Sequence, residues 1–332
     1  MTMTALRSTV PFCLTLQIVV GWLIAPTQAQ SDRGLQELTP TNYFSAEEDS
    51  SGEVAVDWAN DCCSDGCTSI GGCCGRKTLL QWSYGTSFSG GPNLDEPLVT
   101  DRPDFTEATS TVGRGVAQLE IGYTYFYDDD GVTTTKIHSY PETLLRYGMF
   151  ADWFELRLGW NYLNEEVGSV AMAGASDMYL GAKIGLTPQE GILPEMALIP
   201  QMRLPTGSDN FSADEMLPGL NWNYGWEIND FISTAGSTQF NREIDNVTGN
   251  AYTGWAQSWT VAYSLTDRFG AYTEYFGLFP THAETTLPEN YFNGGFTFLV
   301  SDDIQWDIRG GTGLNDAAAD YFLGTGLSIR FK

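Results

Sequence analysis

Basic residues and histidines are scarce in this chain. Its 332 residues include 16 Lys and Arg against 42 Asp and Glu, with two histidines, and the formal net charge is −26. Because no basic patch is present to meet phosphate groups, nucleic acid is excluded as an expected partner. The acidic excess predicts a solvated acidic surface, with an acidic lumen or mouth that favours cations as the alternative.

Long apolar runs are missing after the first 29 residues. The chain opens with Arg7, an apolar run from Val10 to Pro26, and a small-residue cleavage pattern that ends at Ala29. This order predicts a signal peptide over residues 1–29. No later stretch reaches the roughly 18 apolar residues of a membrane-spanning helix. We therefore expect an exported protein whose mature chain has no transmembrane helix.

Catalytic motifs are missing as well. The sequence has no GxSxG elbow, no HExxH pair and no phosphate-binding loop. His138 and Ser139 are neighbours on one predicted strand, so their side chains point to opposite faces and cannot form a dyad. We place His138 on the lumen-facing parity, together with Lys136, Glu142 and Arg146. The sequence therefore predicts no enzyme and no cofactor.

Cysteine is absent after residue 74. Five cysteines lie in the segment 30–97, which is polar, acidic and aperiodic, and we expect little regular structure in this N-terminal arm. Export favours disulfides, with metal binding as the less favoured alternative because the spacing does not match paired CxxC knuckles. The odd number leaves one thiol free or paired with another chain. The disulfide candidates are Cys62, Cys63, Cys67, Cys73 and Cys74.

Alternation of apolar and polar residues is abundant from about Val116 onward. In the segment 154–163, every second residue from Phe154 to Tyr162 is apolar, and the residues between them, from Glu155 to Asn161, are charged, glycine or asparagine. This pattern predicts a strand with one apolar face and one wet face. Short turns alternate along the chain with longer polar loops, such as 164–174. Twelve strands are predicted, near residues 116–127, 133–148, 153–163, 175–187, 194–204, 218–229, 231–240, 252–264, 268–278, 290–300, 304–313 and 321–331.

A membrane barrel explains this pattern better than a soluble β-sandwich, which also alternates. Aromatic residues such as Trp153 and Tyr162 bracket the strands, as in the girdles of outer-membrane barrels. The last strand carries Phe331 next to the C-terminus, which looks like the insertion signal used by the barrel-assembly machinery. Strands in lipid must close because open edges leave backbone groups unpaired. We predict an all-β, closed antiparallel transmembrane β-barrel of about 12 strands over residues 98–332, in contact with outer-membrane lipid.

Charged residues on the wet parity are expected to face the lumen and set its selectivity through their local field. Glycines on the same parity, including Gly159, Gly181, Gly185, Gly225, Gly324 and Gly326, leave room and favour an open lumen. At twelve strands, side chains or the N-terminal arm are the alternative contents. The lumen candidates are Glu120, Glu142, Arg146, Glu155, Arg157, Lys183, Glu195, Arg203, Glu227, Glu274, Asp307 and Arg309.

The stretch TDRPDFTEATS, residues 100–110, directly precedes the first predicted strand. Its motif residues are Asp101, Arg102, Pro103, Asp104 and Glu107. This motif, the stretch QLEIGYTY from Gln118, and the hairpin over residues 141–160 together resemble the outer-membrane family called MetA pathway of phenol degradation. The resemblance covers roughly residues 98–332 and implies a transport channel associated with the degradation of aromatic compounds. From its residues alone, the motif either pairs with lumen charges at the periplasmic mouth or is a solvent-exposed linker.

These observations predict an outer-membrane channel for passive uptake of small solutes. The resemblance adds aromatic or hydrophobic compounds as the solute class. The alternative is a closed barrel with a structural or adhesive role and no transport activity.

Overall fold

The structure, a computed structural model, describes residues 94–245 and 247–332. The predicted signal peptide, nearly all of the N-terminal arm and its five cysteines lie outside these residues. Within the described residues, no helix is long and apolar enough to cross a membrane.

Fourteen β-strands account for most of the described residues. Two pairs of them are single wall strands with a short interruption, at Asn161 between β3 and β4 and at residues 176–177 between β5 and β6. The wall therefore consists of twelve strands, as predicted. The bounds are β1 (Ala117–Asp129), β2 (Thr134–Gly148), β3 (Phe154–Trp160), β4 (Tyr162–Val167), β5 (Val170–Ala175), β6 (Met178–Thr187), β7 (Glu195–Leu204), β8 (Leu217–Glu227), β9 (Ile232–Ile244), β10 (Ala251–Ser264), β11 (Phe269–Thr281), β12 (Glu289–Ser301), β13 (Ile304–Gly313) and β14 (Tyr321–Phe331).

The sheet closes on itself. Each wall strand pairs antiparallel with its neighbours in sequence, and β1 pairs with both β2 and β14. In the closing pair, Ala117 lies opposite Phe331 and Tyr127 opposite Tyr321. A closed ring leaves no edge strand, so the backbone groups along the wall are paired within the sheet. The prediction of a closed antiparallel β-barrel with twelve strands is confirmed.

The two ends of the barrel differ in their connections. One end carries the tight turns, such as residues 302–303 between β12 and β13, together with both ends of the barrel sequence. The other end carries the long connections, such as residues 205–216. In outer-membrane barrels the short turns are periplasmic, so we call these the periplasmic and the outer end. The loop predicted at 164–174 is wrong, because β4 and β5 continue there as a hairpin that turns at residues 168–169.

The alternation predicted for segment 154–163 matches the wall. Glu155 and Arg157 are fully buried inside, whereas Trp160 on the opposite parity is exposed. The predicted direction of His138 is wrong, because Ile137 and Ser139 on either side of it face inward and are fully buried. The cause is a β-bulge: Tyr140 and Pro141 together oppose a single residue of β1, which reverses the parity between the two ends of β2.

Candidate functional site

Residues 98–113 form no strand and lie inside the barrel, so we call them the luminal segment. Its backbone N–H groups donate to carboxylates of the wall. Asp101 and Arg102 donate to Glu120 at 3.1 Å each, and Phe105 donates to Glu274 at 2.8 Å. These bonds reach β1 and β11, which lie four strands apart around the wall, so the segment spans part of the lumen. Of the two alternatives for the TDRPD motif, the structure places it among the lumen charges and not in a solvent-exposed linker.

Asp101 is the centre of the charged network at the periplasmic half of the lumen. Its carboxylate lies 2.7 Å from the Lys183 ammonium and 3.3 Å from the Arg146 guanidinium, and it also pairs with Arg157. The three basic side chains are completely buried. Buried charges are tolerated only when they are paired and hydrogen-bonded, and each basic group here has a carboxylate partner within 3.3 Å.

Carboxylates of the wall complete this network. Arg146 pairs with Glu120 at 3.1 Å and with Glu155 at 2.8 Å, and Arg157 pairs with Glu155 at 3.0 Å. Glu155 and Arg157, two residues apart on one strand, therefore offset each other's charge. The network joins β1, β2, β3 and the luminal segment, because each guanidinium offers several N–H donors in a fixed geometry.

Arg102 attaches the luminal segment to the wall around the closing pair, at β1, β2, β13 and β14. Its guanidinium lies 2.9 Å from Glu142 and 3.4 Å from Asp307. It runs against the backbone of β1 and β14 at Gly122 and Gly326, which face each other across the closing pair. A Cβ atom at either glycine would overlap the guanidinium. The two glycines therefore make the close approach of Arg102 to the wall possible.

The remaining motif residue with a long polar side chain is Glu107. Its carboxylate accepts a hydrogen bond from Arg157 at 2.6 Å and another from Asn221 at 2.8 Å, and it therefore contacts both β3 and β8. Two residues further, the hydroxyl of Thr109 donates to Glu195 at 2.6 Å. The luminal segment is thus held by side chains from around the whole barrel.

The twelve predicted lumen candidates all lie on the inward parity of their strands. Most join the network just described, and Arg203 pairs instead with Glu243 on β9. Glu227 is exposed at the periplasmic end of β8. Asp307 pairs with Arg102 and not with Arg309, which lies 3.8 Å from Glu142. Their influence on solute selectivity remains a prediction.

The outer half of the lumen is lined mostly by aromatic and aliphatic side chains, with the buried carboxyl groups of Glu165 and Glu289 and the Arg203–Glu243 pair among them. Phe276 stacks on Tyr291 at 4.9 Å between ring centroids and on Phe105 of the luminal segment at 4.6 Å. We call this set the aromatic cluster. Its buried members are Phe126, Ile137, Leu163, Phe211, Ala256, Phe276, Leu278, Tyr291, Ala318, Ala319 and Phe322, with Phe105 and Met172 packed against them.

A cavity of about 220 Å³ lies where the charged network meets the aromatic cluster. Asp104 and Phe105 of the luminal segment border it, together with Phe126, Arg157 and Tyr179 of the wall. The cavity therefore offers both a ring surface and hydrogen-bonding groups to a small molecule.

The glycines on the inward parity, which the sequence predicts to leave the lumen open, border other side chains in the structure. Gly326 borders Arg102, and Gly324 borders Arg309. Gly159 and Gly181 both border the ring of Tyr179. The space that these glycines leave is filled by other side chains, so they do not by themselves open the lumen.

The aromatic cluster was not predicted from the sequence, because each strand was assigned one apolar and one wet face along its whole length. The signal was a local loss of alternation at the outer ends of strands. The stretches YTYFY (123–127) and YFGLF (275–279) carry apolar residues on both parities. A strand segment that is apolar on both faces has lipid on one side and a dry interior on the other.

Known proteins were compared with the chain at the level of family, sequence and structure. Residues 100–331 match the family described as MetA-pathway of phenol degradation. No curated protein matches the sequence. Among solved structures, the COG4313 outer membrane channel from Pseudomonas putida F1 has a TM-score of 0.53 at 12% identity, covering 69% of this chain and 99% of that one.

Two further solved structures match more weakly. The NanC porin has a TM-score of 0.41 at 10% identity over 64% of this chain and 98% of its own. The CymD monoaromatic hydrocarbon channel has a TM-score of 0.38 at 9% identity over 65% of this chain and 88% of its own. The match over residues 100–331 and the closed twelve-stranded wall agree with the resemblance noted in the sequence. The chain belongs to the MetA-pathway of phenol degradation family, and it is an outer-membrane β-barrel.

Proposed function

We propose that this barrel is an outer-membrane channel for small solutes, and that aromatic or hydrophobic compounds are its solute class. The observation that carries the proposal is the aromatic cluster in the outer half of the lumen, above a cavity of about 220 Å³. A lumen built only for polar solutes has no need of a cluster of buried rings in its outer half. The family description, which refers to phenol degradation, supports the same class.

The aromatic cluster supplies the means of recognition. Offset and edge contacts between rings contribute about 0.5–1.5 kcal/mol each beyond the burial of area. Phe126 borders the cavity, and Phe105 borders it from the luminal segment. A ring-bearing solute is therefore able to replace ring–ring contacts of the cluster with its own, at little cost in desolvation of charges.

The charged network sets the size limit. The luminal segment crosses the periplasmic half and is fixed by ion pairs on several sides. Solutes larger than the cavity cannot pass a segment held in this way. The proposed channel is therefore narrow and serves small molecules.

A closed barrel with a structural or adhesive role is the second candidate. The same luminal segment favours it, because the segment lies inside the periplasmic half and is held there by buried ion pairs. The two candidates differ in one measurable property, which is the flux of a small aromatic solute through the inserted protein.

The test uses the refolded mature protein in liposomes and in planar bilayers. Flux of phenol and single-channel conductance are measured for the wild type, for Phe126→Asp in the aromatic cluster, and for Val132→Asp in an outer loop. We expect phenol flux in the wild type and in Val132→Asp, and a loss of about tenfold or more in Phe126→Asp. A protein that inserts but carries neither phenol nor ions contradicts the channel and supports the closed barrel.

A further inference from the structure

Asp104 differs from the other carboxylates of the luminal segment. Asp101 and Glu107 each pair with basic side chains within 3.3 Å, whereas no basic group of the described residues forms an ion pair with Asp104. Its side chain accepts a hydrogen bond from Thr260, and the charged groups that act on it most strongly are Glu274 and Asp101, which are both acidic. Asp104 also borders the luminal cavity, so it is reached from the lumen.

Glu274 is the neighbouring acidic group and is held firmly in place. Its two oxygens lie 2.7–2.8 Å from the N–H groups of Phe105 and Thr106, and the amide of Asn293 donates to it at 2.8 Å. These neutral donors fix the carboxylate but leave its charge uncompensated. Asp104 and Glu274 are therefore neighbouring acidic groups in the protein interior, and neither forms an ion pair with a basic side chain of the described residues, which is unfavourable unless a cation or a proton joins them.

Two buried polar atoms without a partner lie on the inward face next to Glu274, because Tyr272 is two residues before it on β11 and Asn293 is opposite it on β12. The hydroxyl of Tyr272 has no hydrogen-bond partner among the described residues, and the residue is only 6% exposed. The Oδ1 atom of Asn293 also has none, although the other amide atom of that side chain bonds to Glu274. The charged groups that act most strongly on Tyr272 are Asp104 and then Arg309, whose guanidinium donates to the Pro103 carbonyl at 2.8 Å. Buried oxygens without partners are rare in native proteins and call for a missing ligand.

We propose that Asp104, Glu274, Asn293 and Tyr272 form an oxygen-lined site for a hard cation inside the lumen. Two carboxylates and two neutral oxygens are the ligand chemistry of Ca²⁺, which takes oxygen ligands in flexible geometry. The described residues contain no cluster of three His, Cys, Asp or Glu side chains that could hold a metal. With only two charged ligands, the site is expected to bind weakly, with a Kd of about 10⁻⁴–10⁻³ M, because the affinity of calcium sites falls with the number of charged ligands. The bound cation holds the part of the luminal segment around Asp104 against β11 and β12.

Thermal unfolding of the refolded mature protein in neutral detergent tests this site. Ca²⁺, Mg²⁺ and Na⁺ are added at constant ionic strength, with tetramethylammonium chloride as the balancing salt. Binding at a concentration a hundredfold above Kd raises Tm by about 5–10 °C for a domain of this size. We expect the rise with Ca²⁺ and a smaller one with Mg²⁺ or Na⁺.

Three variants separate the site from a general salt effect. Asp104→Asn removes one of the two charges without removing a wall contact, and Tyr272→Phe removes one proposed ligand. Asp302→Asn makes the same charge change at an exposed periplasmic turn. We expect Asp104→Asn to abolish the cation dependence, Tyr272→Phe to weaken it, and Asp302→Asn to retain it.

Two results overturn the proposal. One is a wild-type Tm that responds to none of the three cations. If such a Tm still changes with pH, the occupant of the site is a proton. The other is an equal cation response in the wild type and Asp104→Asn, which identifies binding elsewhere. Because the first result needs only the wild type, a failure of a variant to fold does not affect it.

Discussion

In the periplasmic half of the lumen, Arg146, Arg157 and Lys183 surround Asp101, whereas in the outer half Phe105 and the rest of the aromatic cluster pack ring against ring. The first half depends on charge and on matched partners. The second depends on apolar area and tolerates exchange of one ring for another. The charged periplasmic half is thus the rigid, selective part of a narrow passage, and the aromatic outer half is the adaptable part. The luminal segment contributes Asp101 to the charged half and Phe105 to the aromatic half.

The largest expected effect comes from breaking the charged half. Arg157→Leu leaves Glu155 and Glu107 without one basic partner and removes a partner of Asp101. Removing one member of a buried ion pair costs about 3–5 kcal/mol, because the remaining charges stay buried. The measurement is the free energy of unfolding of the refolded protein in urea.

A surface pair provides the control for this effect. Arg242 pairs with Glu215 at 2.6 Å at the outer end, and both side chains are at least 40% exposed. Arg242→Leu is expected to change the free energy of unfolding by less than about 1 kcal/mol. Similar losses in Arg157→Leu and Arg242→Leu would contradict the importance assigned to the buried network.

The next effect concerns the outside of the wall. Leu158 lies in mid-strand on the outward parity, between Arg157 and Gly159. Leu158→Arg is expected to cost about 2–4 kcal/mol if this position lies at the bilayer midplane. Val132→Arg in the outer loop, which is 90% exposed, is the control and is expected to be neutral. Equal stability of the two variants in a folding titration would contradict the lipid-facing assignment.

A third effect tests the close approach of Arg102. Gly122→Ala and Gly326→Ala each place a methyl group where the guanidinium now lies. We expect a loss of about 1–3 kcal/mol from overpacking and an altered single-channel conductance, because Arg102 must move away from Asp307. Gly225→Ala is the matched control, since its Cβ would meet its nearest atoms at 3.4 Å, which is ordinary contact. A conductance that changes equally in all three variants would contradict the role of the glycine pair.

These effects show where the sequence was informative. The closed wall was predictable because strict alternation over residues 154–163 and similar stretches fixes which face is apolar. The reversal of parity at Pro141 was not predictable from alternation, because a bulge adds one residue without changing the composition of the strand. The pairing of Arg157 with Glu107 was out of reach for another reason. It joins residues 50 positions apart through a segment that has no periodicity of its own.

The smallest effect concerns Asp245 at the outer end, a carboxylate that is held by neutral donors instead of arginines. Asp245, in the loop after β9, accepts hydrogen bonds from the backbone of Thr248 and from the backbone and hydroxyl of Thr285. Burial alone raises the pKa of Asp245, but these hydrogen bonds outweigh it and hold its pKa well below the usual range. The contact with the loop at residues 282–288 is therefore fully stabilising above about pH 4 and is lost as the pH falls towards the lowered pKa.

A spin label reports this loss directly. It is attached through Leu287→Cys in a background whose native cysteines are replaced by serine, and its mobility is followed from pH 7 to pH 2.5. In the parent protein we expect the mobility of the label to rise only at the lowest pH values. In Asp245→Asn we expect high mobility at every pH, because the amide N–H groups of Asn face the N–H and O–H donors that the carboxylate accepted from. The contact contributes about 1 kcal/mol, so the barrel itself stays folded.

Asp316→Asn in a different outer loop should leave the profile unchanged. A profile that is the same in the parent and in Asp245→Asn would show that the two loops are joined by other contacts, and the contrast between charge-paired and neutrally held carboxylates would then not extend to the loops.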